Sequence, residues 1–138
     1  MAASQITREV LIPLLKNACN AFEQGSENAC ELTKSLYEQH YSTLAGFVQT
    51  NPNLKKSQTY KASLGVAGRG KKLKCPDKKT RDVLFGFVLC IYQASLGVDD
   101  NTMRNTAKQA SSEGVDKPHK NQGDFLLWLV KDMEKKLV

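Results

Sequence analysis

The side chains with the clearest capacity for chemistry are seven cations crowded into residues 67–81, AGRGKKLKCPDKKTR: Arg69, Lys71, Lys72, Lys74, Lys78, Lys79 and Arg81. One acid, Asp77, shares the stretch, so its formal charge is +6, equal to the net charge of the whole chain. The remaining residues therefore balance to zero. Charge at this density makes a local field that attracts phosphate or another polyanion, whereas the same charge spread over a surface would do little. Glycine and proline interrupt the stretch, which reads as an exposed basic loop. The expected function is non-catalytic nucleic-acid binding, with RNA included, in which the seven cations contact phosphates as the protein coats or packages a strand. The loop holds no aromatic residue on which a base could stack, so sequence preference is expected to be weak. A lysine-rich connector that binds nothing has a similar composition, and the confinement of the whole net charge to one place is what favours a working site. The alternative expectation is a protein-protein interaction module, an inhibitor or adaptor engaging an acidic protein surface.

Catalytic and metal-binding patterns fare poorly. Gly65-Val-Ala-Gly-Arg-Gly70-Lys71-Lys72 fits the first part of the phosphate-binding loop G-x-x-x-x-G-K-[ST], but Lys72 stands where a hydroxyl should ligate magnesium. That loop also follows a β-strand, and a helix is expected here, so the chain is not read as a nucleotide hydrolase or as an enzyme at all. His40 and His119 are the only histidines, and no two cysteines have zinc-ligand spacing, so no metal or other cofactor is expected. His40 lies between Leu36 and Leu44 on an apolar stripe and reads as a hydrogen-bonded core histidine; His119 reads as solvated. Glu27 and Glu31 are one helical turn apart and read as solvated carboxylates. Cys75 is the thiol to watch, because Lys74 and Lys78 beside it should favour its thiolate. The four cysteines (Cys19, Cys30, Cys75, Cys90) follow no small secreted framework, and Cys90 sits in an apolar run, so a reducing, intracellular, cytoplasmic setting is expected. Lys71-Lys72-Leu73-Lys74 has the form of a short nuclear-import signal, which keeps the nucleus in view.

The elements that must position these residues read as helices. A chain of 138 residues with 41% hydrophobic and 25% charged residues suits one folded domain spanning 1–138. No apolar run reaches the eighteen or so residues of a membrane span, so no membrane partner is expected. Ile6, Val10, Leu11, Leu14, Leu15, Ala18 and Phe22 recur at helical spacing, with Pro13 as kink or start and Gly25 as stop. Ser26 can cap a second, long helix with a break near residues 41–43, and Asn51-Pro52 can open a third over residues 52–64. Residues 83–92, VLFGFVLCIY, are apolar on every side, as in a helix buried at the middle of a bundle. Asp99, Asp100 and Asn101 offer caps for a short helix, residues 111–124 read as a polar mobile loop, and a terminal helix carries Phe125 and Trp128. Those two rings could form an apolar patch for a partner helix or a homo-oligomer.

Residues 60–66 (YKASLGV) and 92–98 (YQASLGV) differ at one position in seven, and both read as helix stops with Gly65 and Gly97 in the left-handed conformation. The expected fold is all-α: a single-domain bundle of five or six helices around a buried central helix at about residues 80–96, with the basic loop exposed.

Overall fold

In the computed structural model, which describes residues 6–117 and 122–136, every regular element is helical. A π-helical turn (Thr7–Leu11) leads into α1 (Ile12–Glu23), followed by α2 (Asn28–Thr50), α3 (Pro52–Lys56) and α4 (Gln58–Ala67). A 3-10 turn (Gly68–Lys72) then precedes α5 (Thr80–Leu96), α6 (Asp100–Ser112) and α7 (Gln122–Lys136). The buried apolar side chains form one cluster to which all of the longer helices contribute. Among the described residues no single helix is long and apolar enough to cross a membrane.

Local sequence explains most of the boundaries. Pro13 follows closely on the π-helical turn, whose last residue Leu11 is itself helical (φ −80°, ψ −38°), so the helix runs on through the proline and the π-turn lies where its missing N–H interrupts the ladder. Gly25, at φ 66°, ends that helix, and the Ser26 N–H reaches back to the Ala21 carbonyl at 2.9 Å. Asn51 caps α3 by accepting from the Asn53 N–H at 3.1 Å. Two expectations need correction. The second helix runs unbroken through residues 41–43, and the single helix expected over 52–64 is two. The break falls at Ser57, whose extended backbone (ψ 120°) lets its Oγ accept from the Tyr60 N–H at 2.9 Å and cap α4. This division gives seven α-helices among the described residues rather than five or six.

Twelve of the seventeen residues of α5 are buried. The helix packs against α4, α7, α2 and α1. Phe87, Leu84 and Ile91 are fully enclosed, whereas Phe85 and Leu89 are half-buried on an open side. Two polar residues of α5 tie it to its neighbours. Tyr92 donates to Asp132 on α7 at 2.7 Å, and Lys136 completes the group with 2.9 Å to the tyrosine oxygen and 2.8 Å to the carboxylate. Partial burial opposes the charge of Lys136, but the hydrogen bonds to Asp132 and Tyr92 prevail and hold its ammonium pKa above the usual range.

Gln93 donates to Ser57 Oγ at 2.6 Å and to the Val98 carbonyl at 3.0 Å. The Ser57 hydroxyl in turn donates to Asp100, whose carboxylate also accepts from the backbone N–H groups of Gln58 (2.9 Å) and Thr59 (3.2 Å). The adjacent aspartates thus divide their work: Asp99 caps its own helix through the Thr102 N–H at 2.9 Å, and Asp100 caps α4 from outside.

The repeated heptapeptide splits in the same way. Gly97 is left-handed at φ 63° and stops α5, but Gly65 lies inside α4, which continues to Ala67. Residues 111–124 are also shorter as a loop than expected. Ser111 and Ser112 finish α6, residues 122–124 belong to α7, and the Val115 N–H bonds the Ala110 carbonyl at 3.0 Å with its side chain buried. Residues 118–121, with His119, lie outside the described residues.

These placements give two expected outcomes for stability. Gly97→Ala should cost about 1 kcal/mol because a Cβ resists the left-handed conformation. Gly65→Ala, in a helix interior with nothing near the new methyl, should stabilise by about 0.5–1 kcal/mol. Urea unfolding of both variants decides; equal effects of one sign would remove the distinction. Hydrogen bonds from Ser57, then from Gln58 and Thr59, lower the Asp100 pKa below its ordinary 3.8, although slight burial opposes them. A lowered folded-state pKa means stability that is complete above pH 3.8 and lost as the pH falls through the lowered value. Asp100→Asn should therefore be less stable than the parent at pH 7, with the gap closing below about pH 3.8; a gap constant from pH 7 to pH 2 would show that the charge contributes nothing.

Candidate nucleic-acid interface

The basic segment joins the C-terminus of α4 to the N-terminus of α5. Its seven cations are all exposed, with Arg69, Lys71 and Lys72 on the 3-10 turn, Lys74, Lys78 and Lys79 on the connection, and Arg81 in the first turn of α5. The backbone beneath them is pinned at several points, so the segment is a ridge with outward-pointing charges. Leu73 is buried in the core cluster. Gly70 lies so close to α2 that a Cβ would meet Tyr37 Cβ at 2.7 Å, which only glycine permits. Asp77 closes the following turn by accepting from the Lys74 N–H at 3.0 Å and the Lys79 N–H at 2.9 Å. Those two backbone bonds, with help from the Lys79 charge and against slight desolvation, hold its carboxyl below the usual range. The one acid of the stretch is thereby occupied by backbone.

The fourth point is covalent. Cys75 is bonded to Cys30, at the start of α2, with their Cα atoms 5.6 Å apart. The expectation of a reactive Cys75 thiolate is corrected: Lys74 and Lys78 flank a disulfide, which has no thiol to ionise. The cysteine argument for a reducing setting loses half of its basis as well, because only Cys19 and Cys90 are free. Both are buried thiols whose pKa burial raises, that of Cys19 to about 12.

Ion pairing consumes little of the charge. Among the described residues the one ion pair made by any of the seven is Arg81 with Asp82, at 3.9 Å and with both side chains about half exposed (53% and 50%), a geometry worth little. Lys78, Lys79 and Arg81 also stand at the N-terminus of α5. There the helix dipole adds positive potential instead of cancelling theirs, an arrangement that an incoming anion would relieve.

One neighbour escaped the sequence. Tyr37 and Tyr41 stack on α2 with ring centroids 4.9 Å apart, directly under the 3-10 turn, where a Cβ on Gly68 would meet the Tyr41 hydroxyl at 2.9 Å. Their spacing of four residues puts both rings on one helical face, but nothing local says that this face meets the basic segment. The pair supplies half-buried aromatic surface beside the cations, which the segment itself lacks.

The other residues singled out are dispersed. Residues 65–72 form the end of a helix and a 3-10 turn, with α4 rather than a strand before them. His40 is half-buried with its pKa lowered by desolvation, and its Nε2 has no partner among the described residues, contrary to the expected hydrogen-bonded histidine. Glu27 and Glu31 are exposed. No group of three His, Cys, Asp or Glu able to hold a metal occurs among the described residues. Phe125, expected in an outward patch, is buried and packs on Phe85 at 5.8 Å and on Trp128 at 6.3 Å between centroids. Trp128 is half-buried and its Nε1 donates to Glu113 at 3.2 Å, so the two rings bind the end of α6 to α7 rather than form an open face.

The bridge is directly countable. Under denaturing, non-reducing conditions two thiols should react with a thiol reagent, and four after reduction. Cys30→Ser with Cys75→Ser should lower stability by about 2–4 kcal/mol, since the bridge closes a 45-residue span. Four reactive thiols without reductant would remove this anchor.

In comparisons with protein-family models, with curated proteins and with solved structures, the chain matches none.

Proposed function

We propose that the chain binds nucleic acid without catalysis, through Arg69, Lys71, Lys72, Lys74, Lys78, Lys79 and Arg81. The observation that carries the reading is a ridge of seven exposed cations on a backbone held by Leu73, Gly70, Asp77 and the Cys30–Cys75 bridge. Pre-ordering matters because a mobile lysine loop loses conformational freedom on binding, whereas a pinned one has already lost much of it. The ligand class is a phosphate backbone, read for charge and spacing rather than base sequence. In this reading α5 is the central helix of one bundle, and the ridge is its N-terminal approach. The bridge suits an oxidising compartment better than the cytoplasm, which moves the proposed location away from the reducing setting expected from the sequence.

The reading is tested by changing Lys71, Lys72 and Lys74 together to Gln and measuring affinity for single-stranded RNA and DNA between 50 and 200 mM salt, conditions over which phosphate contacts weaken steeply. Affinity should fall, and the slope of log affinity against log salt should shrink by up to about 2–3, with about 0.7–0.9 lost per phosphate contact. Stability should change by less than about 0.5 kcal/mol because the three side chains are in solvent. A folded triple variant that binds as the parent does, with the same slope, would overturn the reading and leave the ridge to the other expected partner, an acidic protein surface.

A further inference from the structure

A second region of the molecule, lined by none of the seven cations of the basic ridge, has the composition of a ligand site. On the open side of α5 a hollow of about 450 Å³ is lined by Phe85 and Leu89 of α5, Met103 and Ala107 of α6, Thr59 of α4 and Phe125 of α7. Arg104, Lys108 and Ser111 also line it. On α6 the residues separate into two rows: Met103, Ala107 and Ala110 turn inward, and Arg104, Lys108 and Ser111 follow one another along the rim at spacings of four and three. An apolar floor therefore carries two cations, one helical turn apart, along one edge.

Among the described residues neither Arg104 nor Lys108 makes an ion pair. The nearby carboxylates are engaged elsewhere: Asp100 holds Ser57, Gln58 and Thr59, and Glu113 accepts from Gln109 and Trp128. Asp124, beside Phe125 in sequence, does not line the hollow. The site is therefore complementary to a molecule with an apolar body and a single anionic head.

A partner helix would anchor apolar side chains along two or more turns of a groove, whereas two cations without ion-pair partners at one edge suit a small molecule with one charged end. The volume lies within the usual range of small-molecule sites, about 300–1,000 Å³. A second hollow of about 510 Å³ shares Thr59, Phe85 and Leu89 and continues over Gly86 toward Val66, where Asp82 and the ridge residue Arg69 also line it.

We propose that this hollow binds an aliphatic carboxylate of the fatty-acid class, the chain lying on Phe85, Leu89, Met103 and Ala107 and the carboxylate held by Arg104 and Lys108. The test is titration of the full chain with dodecanoate below its micellar concentration, followed by calorimetry, with methyl dodecanoate and acetate as controls for head and tail. One dodecanoate should bind per chain, the ester more weakly and acetate not measurably. Arg104→Ala with Lys108→Ala should weaken dodecanoate binding about fivefold or more while leaving the ester unchanged. Ala107→Phe, on the half-buried lining, should fill the hollow and abolish binding of both, with helicity and unfolding midpoint checked so that a misfolded variant is recognised; Leu89→Ser provides a second lining variant. The proposal is overturned by absence of saturable binding, by indifference to both lining variants, or by equal affinities for ester and carboxylate. It is also overturned if binding disappears in the Lys71, Lys72 and Lys74 variant instead, which would assign the carboxylate to the ridge and leave the nucleic-acid reading to its own test.

Discussion

At Gly86 the backbones of α4 and α5 meet so closely that a Cβ would sit 2.9 Å from both the Ala67 nitrogen and the Ser63 carbonyl oxygen. No larger residue fits there, and the contact locks α4 along one side of the most buried helix. Two features follow. The chain has to turn back between the ends of these two helices within residues 68–79, which presses the cation-rich stretch into a tight ridge against α2. The facing side of α4 also carries small residues, Ala62 and Ser63, so it cannot reach over Phe85 and Leu89, and the open side of α5 stays uncovered.

At the other end of α4 a polar junction does comparable work. Gln93 enters the interior from α5, and its amide needs partners that the apolar core cannot offer. Ser57 and the Val98 carbonyl supply them for its NH2 group, while its Oε1 is buried without a partner among the described residues, and Asp100 then binds Ser57 and the first N–H groups of α4. Three helices are thereby indexed against one another by one side chain each. The same junction explains why the chain breaks its helix at Ser57: an uninterrupted helix would leave Gln93 without its hydroxyl partner and Asp100 without a helix end to cap.

Features set by local chemistry were legible in the sequence. Helical periodicity gave the all-α class, the extent of α5 and the stops at Gly25 and Gly97, and clustered charge marked residues 67–81. Features set by distant partners were not. Gly65 and Gly97 sit in nearly identical heptapeptides, yet only Gly97 ends a helix, because α4 continues toward its contact with Gly86. Cys30 and Cys75 are 45 residues apart, and no local signal pairs them. Phe125 has the same amphipathic spacing whether it faces solvent or Phe85, and Tyr37 and Tyr41 meet the ridge only once α2 has docked. In each case the deciding neighbour lies far along the chain, where a periodic pattern carries no information.

The bridge also sets what a protease could do to the ridge. Arg69, Lys71, Lys72 and Lys74 lie between Cys30 and Cys75, so a trypsin-like cut after any of them opens a ring and leaves the two pieces covalently joined. Lys78, Lys79 and Arg81 lie outside the ring, and a cut there divides the chain into separate polypeptides. Within thirteen residues the same basic surface thus contains one stretch where a nick is topologically harmless and another where it severs the molecule. Cys75 is the border between them.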